Sequence, residues 1–273
     1  MKHLFICFIA GTCFLLSSCS EKKHLAKPGD KDQETIKVMS YNVHHCNPPA
    51  KPEVIDLNAI AAVINAAKPD LVGLQEIDVN TIRSGKEINQ AKELAAKTNM
   101  HYYFAKAIDY QGGGYGVAIL SKYELSEAQV YPLSSDPSTN AEPRVLVTAK
   151  VVLPSGKVIR FANTHLDATS NPTNRSLQIK EINAIALKER TPFIITGDFN
   201  AVPGSEVIVA MDEVFTRTCF TCGPTIPANK PTKCIDFVGY TTKKPMTVQA
   251  HQVISAPEAS DHLPVFAVLG FKP

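Results

Sequence analysis

Residues 193–200 read Phe193-Ile194-Ile195-Thr196-Gly197-Asp198-Phe199-Asn200, an apolar run that stops on a glycine, a carboxylate and a carboxamide. Its shortness, its β-branched residues and its glycine stop predict a buried strand over Phe193–Thr196. The residues before it, from about Asn174 to Lys188, predict a helix, and the run before that, Lys157–Asn163, predicts a strand that closes on Thr164-His165. Ligand sites of α/β sheets gather at strand ends, where polar loop residues stand on a rigid base.

Working outward, the same ending recurs. Ile36-Lys37-Val38-Met39 is strand-like and runs into Ser40-Tyr41-Asn42. Asp56 is placed to cap a helix that carries Ile60, Val63, Ile64 and Ala67 on one face. Pro69-Asp70 ends that helix, and Leu71-Val72-Gly73-Leu74 begins another buried strand, followed by Gln75-Glu76. A second helix is expected over 86–98. Further strands are expected around Tyr102–Ala107, Val117–Leu120 and Val145–Val152, with Pro154-Ser155-Gly156 as a hairpin turn into Lys157. Tail strands follow near Ile235–Tyr240, Thr247–Val253 and Pro264–Leu269. Gly112-Gly113-Gly114 is not followed by Lys-Ser/Thr, so it is no nucleotide phosphate loop and is expected as a flexible turn. Repeats and a second linker are lacking, which predicts one α/β domain over about 35–273. Its strands outnumber a simple βαβ alternation, so its sheets should be mixed.

The N-terminal residues are of another kind. Lys2 and His3 precede an apolar run, Leu4–Leu16, that is too short to span a bilayer and ends in Ser17-Ser18-Cys19. Leu16-Ser17-Ser18-Cys19 resembles a bacterial lipobox, which implies a leader over 1–19, lipidation of Cys19 and export to a membrane surface, with an ordinary signal peptide cleaved nearby as the alternative. Residues 20–34 are polar, contain Pro and Gly, and predict a flexible tether. Cys46, Cys219, Cys222 and Cys234 remain beyond Cys19, and in an oxidising compartment they permit up to two disulfides in three pairings. Disulfides or free buried thiols are favoured over zinc.

Among the 273 residues, 28 basic side chains stand against 26 acidic ones, and loss of the first eighteen residues leaves 27 against 26. A protein that lives by gripping nucleic acid usually carries a basic surplus, because phosphate contacts release counterions. The balance therefore argues weakly against tight nucleic-acid binding.

The polar endings are dominated by oxygen donors: Asn42, Glu76, Asp198, Asn200 and Asp261. Hard ions such as Mg²⁺ take such ligands, whereas zinc favours His and Cys. Singly, each residue is better explained as a turn former or helix cap. Together, Ser40-Tyr41-Asn42, Leu74-Gln75-Glu76, Gly116–Ser121, Thr164-His165-Leu166-Asp167, Gly197-Asp198-Phe199-Asn200, Ile235-Asp236 and Ser260-Asp261-His262 resemble, in order, the motif series of the endonuclease/exonuclease/phosphatase superfamily, over about residues 36–270. The resemblance implies a four-layer α/β/β/α sandwich of two packed mixed sheets. It implies a Mg²⁺- or Mn²⁺-dependent phosphoester hydrolase that attacks phosphorus in line with an activated water. Glu76 then resembles the principal metal ligand, with Asn42 and Asp261 in support. Asp198 and Asn200, expected to face one side of an extended segment, resemble the residues that position the water and the phosphate. His262 resembles the histidine held by a carboxylate, here Asp236, and His165 the histidine that hydrogen-bonds the phosphate. Both Asp198 and His262 are candidates for taking the water's proton.

Three further residues are candidate substrate contacts. Guanidinium groups suit bidentate phosphate recognition, which nominates Arg83 and Arg144, with solvated surface positions as the alternative. His45, after His44, is placed to face the phosphate, with a loop role as the alternative. Cys234 stands where members of the superfamily often carry Arg or another polar residue. The expected activity is that of a monomeric phosphodiesterase for a small or lipid-derived substrate. A secreted nuclease and a binding protein that has lost catalysis are the alternatives.

Overall fold

In a computed structural model of the chain, the residues described are Met1, 34–244 and 246–271. The expected leader and tether lie outside them, apart from Met1 and Glu34. In chain order the elements are β1 (Thr35–Asn42), a short turn of 3-10 type (His44–Cys46), α1 (Leu57–Ala67), β2 (Leu71–Val79), α2 (Gln90–Thr98), β3 (His101–Tyr110), β4 (Gly113–Ser121), β5 (Leu125–Leu133) and β6 (Arg144–Val152). There follow β7 (Val158–His165), α3 (Thr173–Lys188), β8 (Phe193–Asp198), α4 (Glu206–Asp212), β9 (Phe215–Arg217), β10 (Asp236–Thr241), β11 (Met246–Val253) and β12 (Val265–Phe271).

They form two six-stranded sheets, in the orders β11-β12-β1-β2-β4-β3 and β5-β6-β7-β8-β10-β9. Each sheet holds one parallel pair, β1–β2 and β7–β8, and its other neighbours run antiparallel. A parallel pair needs a long crossover, and helices α1 and α3 supply it. Asp56 caps α1 as expected, accepting from Ala59 N at 3.0 Å.

Period-two alternation sorts the strand residues into layers. Ile36, Val38, Leu71, Phe161, Ile194 and Val238 belong to one core that both sheets share. Met39, Tyr41, Val72 and Leu74 point the other way and pack with Ile60, Ile64 and Leu94 of α1 and α2. Ala162, Phe193, Ile195 and Phe237 pack with Ile179, Ile182, Ile208 and Met211 of α3 and α4. The architecture is thus the expected α/β/β/α sandwich.

Near the site the shared core turns polar. Gln75 Nε2 donates to Asn163 Oδ1 at 2.6 Å, and Asn163 Nδ2 donates to the carbonyls of Leu74 (2.8 Å) and Ala118 (2.9 Å). Thr196 Oγ1 donates to Ala162 O at 3.0 Å. This network ties the two sheets together. A Cβ on Gly73 would stand 2.0 Å from Thr196 Oγ1 and 2.6 Å from Asn163 Oδ1. Gly73→Ala is therefore expected to cost about 1–3 kcal/mol, the usual range for overpacking. In a thermal melt that is a fall of roughly 2–10 °C; an unchanged melting point would show that the sheets can move apart at little cost.

Several elements differ from expectation. Strands β5 and β9 and helix α4 were not expected, and α2 begins at Gln90 instead of residue 86. Only Gly112 of the triple glycine lies in the turn, at φ +81°; Gly113 and Gly114 already belong to β4. At Gly113 a Cβ would meet Val79 O at 2.2 Å, so the glycine serves close strand approach and not flexibility. Cys219 and Cys222 form a disulfide, while Cys46 and Cys234 are buried free thiols. Burial, and then nearby Asp236, pushes the Cys234 thiol up to about 12.

Candidate active site

The parity that fills the shared core also aims the polar endings. Residues 36, 38, 40 and 42 of β1 share one face, so Asn42 continues the line of Ile36 and Val38. In the same way His165 continues Ile159 and Phe161, Asp198 continues Ile194, and Asp236 shares its face with Val238 and Tyr240. Asn42, His165 and Asp198 end strands of the two parallel pairs, and Asp236 starts an antiparallel neighbour, paired in register with Asp198. All four therefore meet at one edge of the sandwich.

Glu76 arrives by a different route. Strict alternation would send it to the helix-covered face with Leu74. A register shift between Leu74 and Ile77 and a left-handed backbone at Glu76 (φ +60°) turn it back toward Asn42. Strand β2 continues to Val79, so Glu76 sits in a bulge and does not end its strand as the sequence suggested. A non-glycine residue in this conformation costs of order 1–3 kcal/mol, which neighbouring structure must offset.

Asp198 is the centre of the group. Its Oδ2 accepts from Asn42 Nδ2 at 3.1 Å and lies 3.6 Å from His165 Nε2 and 3.8 Å from His262 Nε2. Its Oδ1 accepts from Asn200 N at 2.9 Å. Asn200 is left-handed (φ +47°), so a tight turn, not the expected extended segment, folds it over Asp198. Asn200 Nδ2 also donates to Leu166 O at 3.0 Å. Asn42 Nδ2 bridges on to Glu76 Oε1 at 3.0 Å.

His262 and Asp236 form a buried pair, with Nδ1 and Oδ2 at 3.0 Å. Thr225 Oγ1 donates to the same oxygen. Ser260 Oγ donates to Asn42 O at 2.8 Å and reaches Asp261 Oδ1 at 3.4 Å, which hangs Asp261 beside the end of β1. Asp198, Asp236, His165 and His262 are buried, whereas Glu76, Asp261, His44 and His45 are half-buried, so the cleft opens on the Glu76 side.

Burial shapes the charges. Burial alone would lower the basicity of His262, but the Asp236 carboxylate, its hydrogen bond and then Asp198 reverse that and hold the imidazole protonated above its ordinary range. Asp198 is raised, first by burial and then by Asp236, with His262 and the donors from Asn200 and Asn42 opposing. His165 is held well below its usual range by burial, then by Arg144 and His262, so it is a neutral donor. Burial, and then Arg83 and His44, bring His45 down to about 4.

The two arginines are not solvated surface groups. Arg83 makes a two-pronged pair with buried Asp78 (2.7 and 3.0 Å) and lies over the Tyr110 ring, 4.4 Å from its centre. Its fork is thus engaged within the protein. Arg144 is buried, pairs with Glu142 at 3.2 Å, and shares a small pocket with Tyr115 and His165. Sequence reasoning passed over Asp78 and Thr225. Asp78 had a signal, a carboxylate followed by Thr81, Arg83 and Ser84, of which Thr81 and Ser84 also donate to it; Thr225 lies in an irregular loop with none.

Comparison with known proteins bears on this geometry. The profile of the Endonuclease/Exonuclease/phosphatase family matches residues 39–262. Among solved structures, an endonuclease/exonuclease/phosphatase of Beutenbergia cavernae is 23% identical with a TM-score of 0.73, over 88% of this chain and 72% of that one. A family protein of Bacteroides thetaiotaomicron is 20% identical with a TM-score of 0.73, over 88% and 99%. A mannosyl-6-phosphatase of the same species is 19% identical with a TM-score of 0.71, over 86% and 100%. None of the curated proteins matches in sequence.

Proposed function

The chain belongs to the endonuclease/exonuclease/phosphatase family of phosphoester hydrolases, and from that premise we propose that it is a divalent-metal-dependent phosphodiesterase acting through an activated water. The observation that carries the proposal is Asp198 Oδ2, a buried carboxylate oxygen faced by Asn42 and within 4 Å of two histidines.

The donor set fits a hard cation. Glu76 and Asp261 offer carboxylates, and Ser260 Oγ holds Asp261 beside the Asn42 backbone carbonyl. Asn42, whose Nδ2 donates to Glu76 at 3.0 Å, would offer its carboxamide oxygen to an ion by turning its amide over. Bound there, Mg²⁺ or Mn²⁺ would polarise a phosphoryl oxygen as a Lewis acid. The protein's own groups do the rest. Asp198 takes the proton of the attacking water, because the Asp236 carboxylate favours the protonated form of His262, whose ring then has no lone pair to accept another proton. The His262 imidazolium, held by Asp236, stabilises charge on the phosphoryl oxygens. Neutral His165 and the Asn200 amide donate to the same group, an arrangement in which preorganised donors contribute most.

Hydrolysis of bis-(p-nitrophenyl) phosphate by the full mature chain tests this. Turnover with Mg²⁺ or Mn²⁺ that chelation stops is expected. Full activity in chelator, or none with either ion, overturns it.

The near-neutral charge supports a small or lipid-derived diester, and so does the membrane position that follows if Cys19 is lipidated after export, which mass spectrometry of the mature terminus would detect. Turnover of such a diester is expected to change little between low and physiological salt, while any cleavage of DNA is slower and falls steeply with salt. Rapid duplex cleavage at physiological salt, beside negligible diester turnover, would make the chain a nuclease. Preference for mannose 6-phosphate over diesters would make it a monoesterase, like the Bacteroides thetaiotaomicron neighbour by its name.

A further inference from the structure

A short turn of 3-10 type follows just after Asn42, and it brings two imidazoles together. Successive side chains of a strand point to opposite faces. His44 and His45 instead both take left-handed backbone values (φ +47° and +42°), and their rings meet edge to face with centroids 4.5 Å apart. Glu76 joins them. One ring nitrogen from each histidine and one Glu76 oxygen lie within 4.8 Å of one another.

The partners of the ring nitrogens leave each histidine a lone pair to offer. His44 Nδ1 faces Asn47 O at 3.2 Å; as the donor there, it leaves Nε2 with a free lone pair. Metal-binding histidines are commonly held so, one N–H on a carbonyl and the other nitrogen on the ion. His45 Nδ1 is buried and has no hydrogen-bond partner among the described residues. Gln90 Nε2 fixes the loop from behind, donating to His45 O at 2.6 Å, and Asn42 Oδ1 accepts from His44 N at 3.1 Å.

We propose that His44, His45 and Glu76 form a position for a borderline transition ion such as Zn²⁺, beside the oxygen-donor position assigned above to Mg²⁺ and sharing Glu76 with it. Two imidazoles and one carboxylate suit such an ion and leave a coordination position for water or a substrate oxygen. Mg²⁺ favours oxygen donors and is a poor competitor for imidazole. Bonds of about 2.0–2.2 Å to a tetrahedral ion set its ligand atoms roughly 3.3–3.6 Å apart. Small side-chain rotations therefore close the present spread. The Arg83 guanidinium nearby is paired with the Asp78 carboxylate.

The position rests on the proposed function only in sharing Glu76, so its test reads binding and not turnover. The full mature chain, stripped of metal, is titrated with Co²⁺ and followed by visible absorption, then with Zn²⁺ in competition. Tight uptake of one Co²⁺, displaced by Zn²⁺ and not by excess Mg²⁺, is expected. His44→Asn and His45→Asn remove an imidazole while keeping a residue that tolerates the left-handed backbone; each is expected to weaken Co²⁺ binding at least about tenfold. Circular dichroism and melting without metal verify their fold. Wild-type affinity in both variants, failure of the wild type to take up Co²⁺, or easy displacement by Mg²⁺ overturns the proposal. Loss of diester hydrolysis in Mg²⁺ alone would count against the proposed function and leave this metal position standing.

Discussion

Asp198→Asn is expected to lower diester turnover about 10³–10⁴-fold in a chain that still folds. The substitution preserves volume and one carbonyl oxygen, so Asn200 N keeps its acceptor, now at 2.9 Å from Asp198 Oδ1. The other oxygen is lost. Oδ2 faces Asn42 Nδ2, His165 and His262, and an amide NH₂ there would set donor against donor. No group would remain to take the water's proton, and positioned proton transfer alone contributes typically 10²–10⁴-fold. Displacement of Asn42, and with it Glu76, would add to the loss. Steady-state kinetics at saturating Mg²⁺ measures the effect. A variant within about fivefold of wild type would remove Asp198 from the chemistry and leave His262 as the candidate base.

Much of this site was open to the sequence because strand alternation writes itself in residue parity. Ile194, Thr196 and Asp198 differ by two, as do Phe161, Asn163 and His165, and each series passes from the shared core to the cleft. What alternation cannot convey is a break in itself. Glu76 follows a bulge, and its family motif announced it where its parity would have hidden it. The 44–46 turn is another break, since three successive left-handed non-glycine residues have no local signal in His44-His45-Cys46. The arginines escaped for a different reason. Whether a guanidinium is solvated or spent depends on partners such as Asp78 and Glu142, and those contacts form only when turns close. Strands β5 and β9 were missed because β5 is largely exposed and β9 has only three residues, so neither carries an apolar run.

The His262–Asp236 pair yields a prediction in which direction matters more than size. Turnover requires Asp198 without its proton and His262 with it. Activity should therefore rise with pH through the raised range of Asp198, hold, and fall only as pH passes through the raised range of His262. Asp236→Asn removes the main group opposing the effect of burial on His262, so the imidazole loses its proton at lower pH. The same change removes a carboxylate that raises Asp198. Both limbs of the profile should move toward acid, and at neutral pH turnover should drop about 10²–10⁴-fold. His262→Gln should cost a similar factor and abolish the alkaline limb. The double variant should be little worse than the poorer single one, because Asp236 acts through the imidazole it holds at 3.0 Å. Losses that multiply in the double variant, or a profile that stays in place in Asp236→Asn, would show that Asp236 serves the fold and not the protonation of His262.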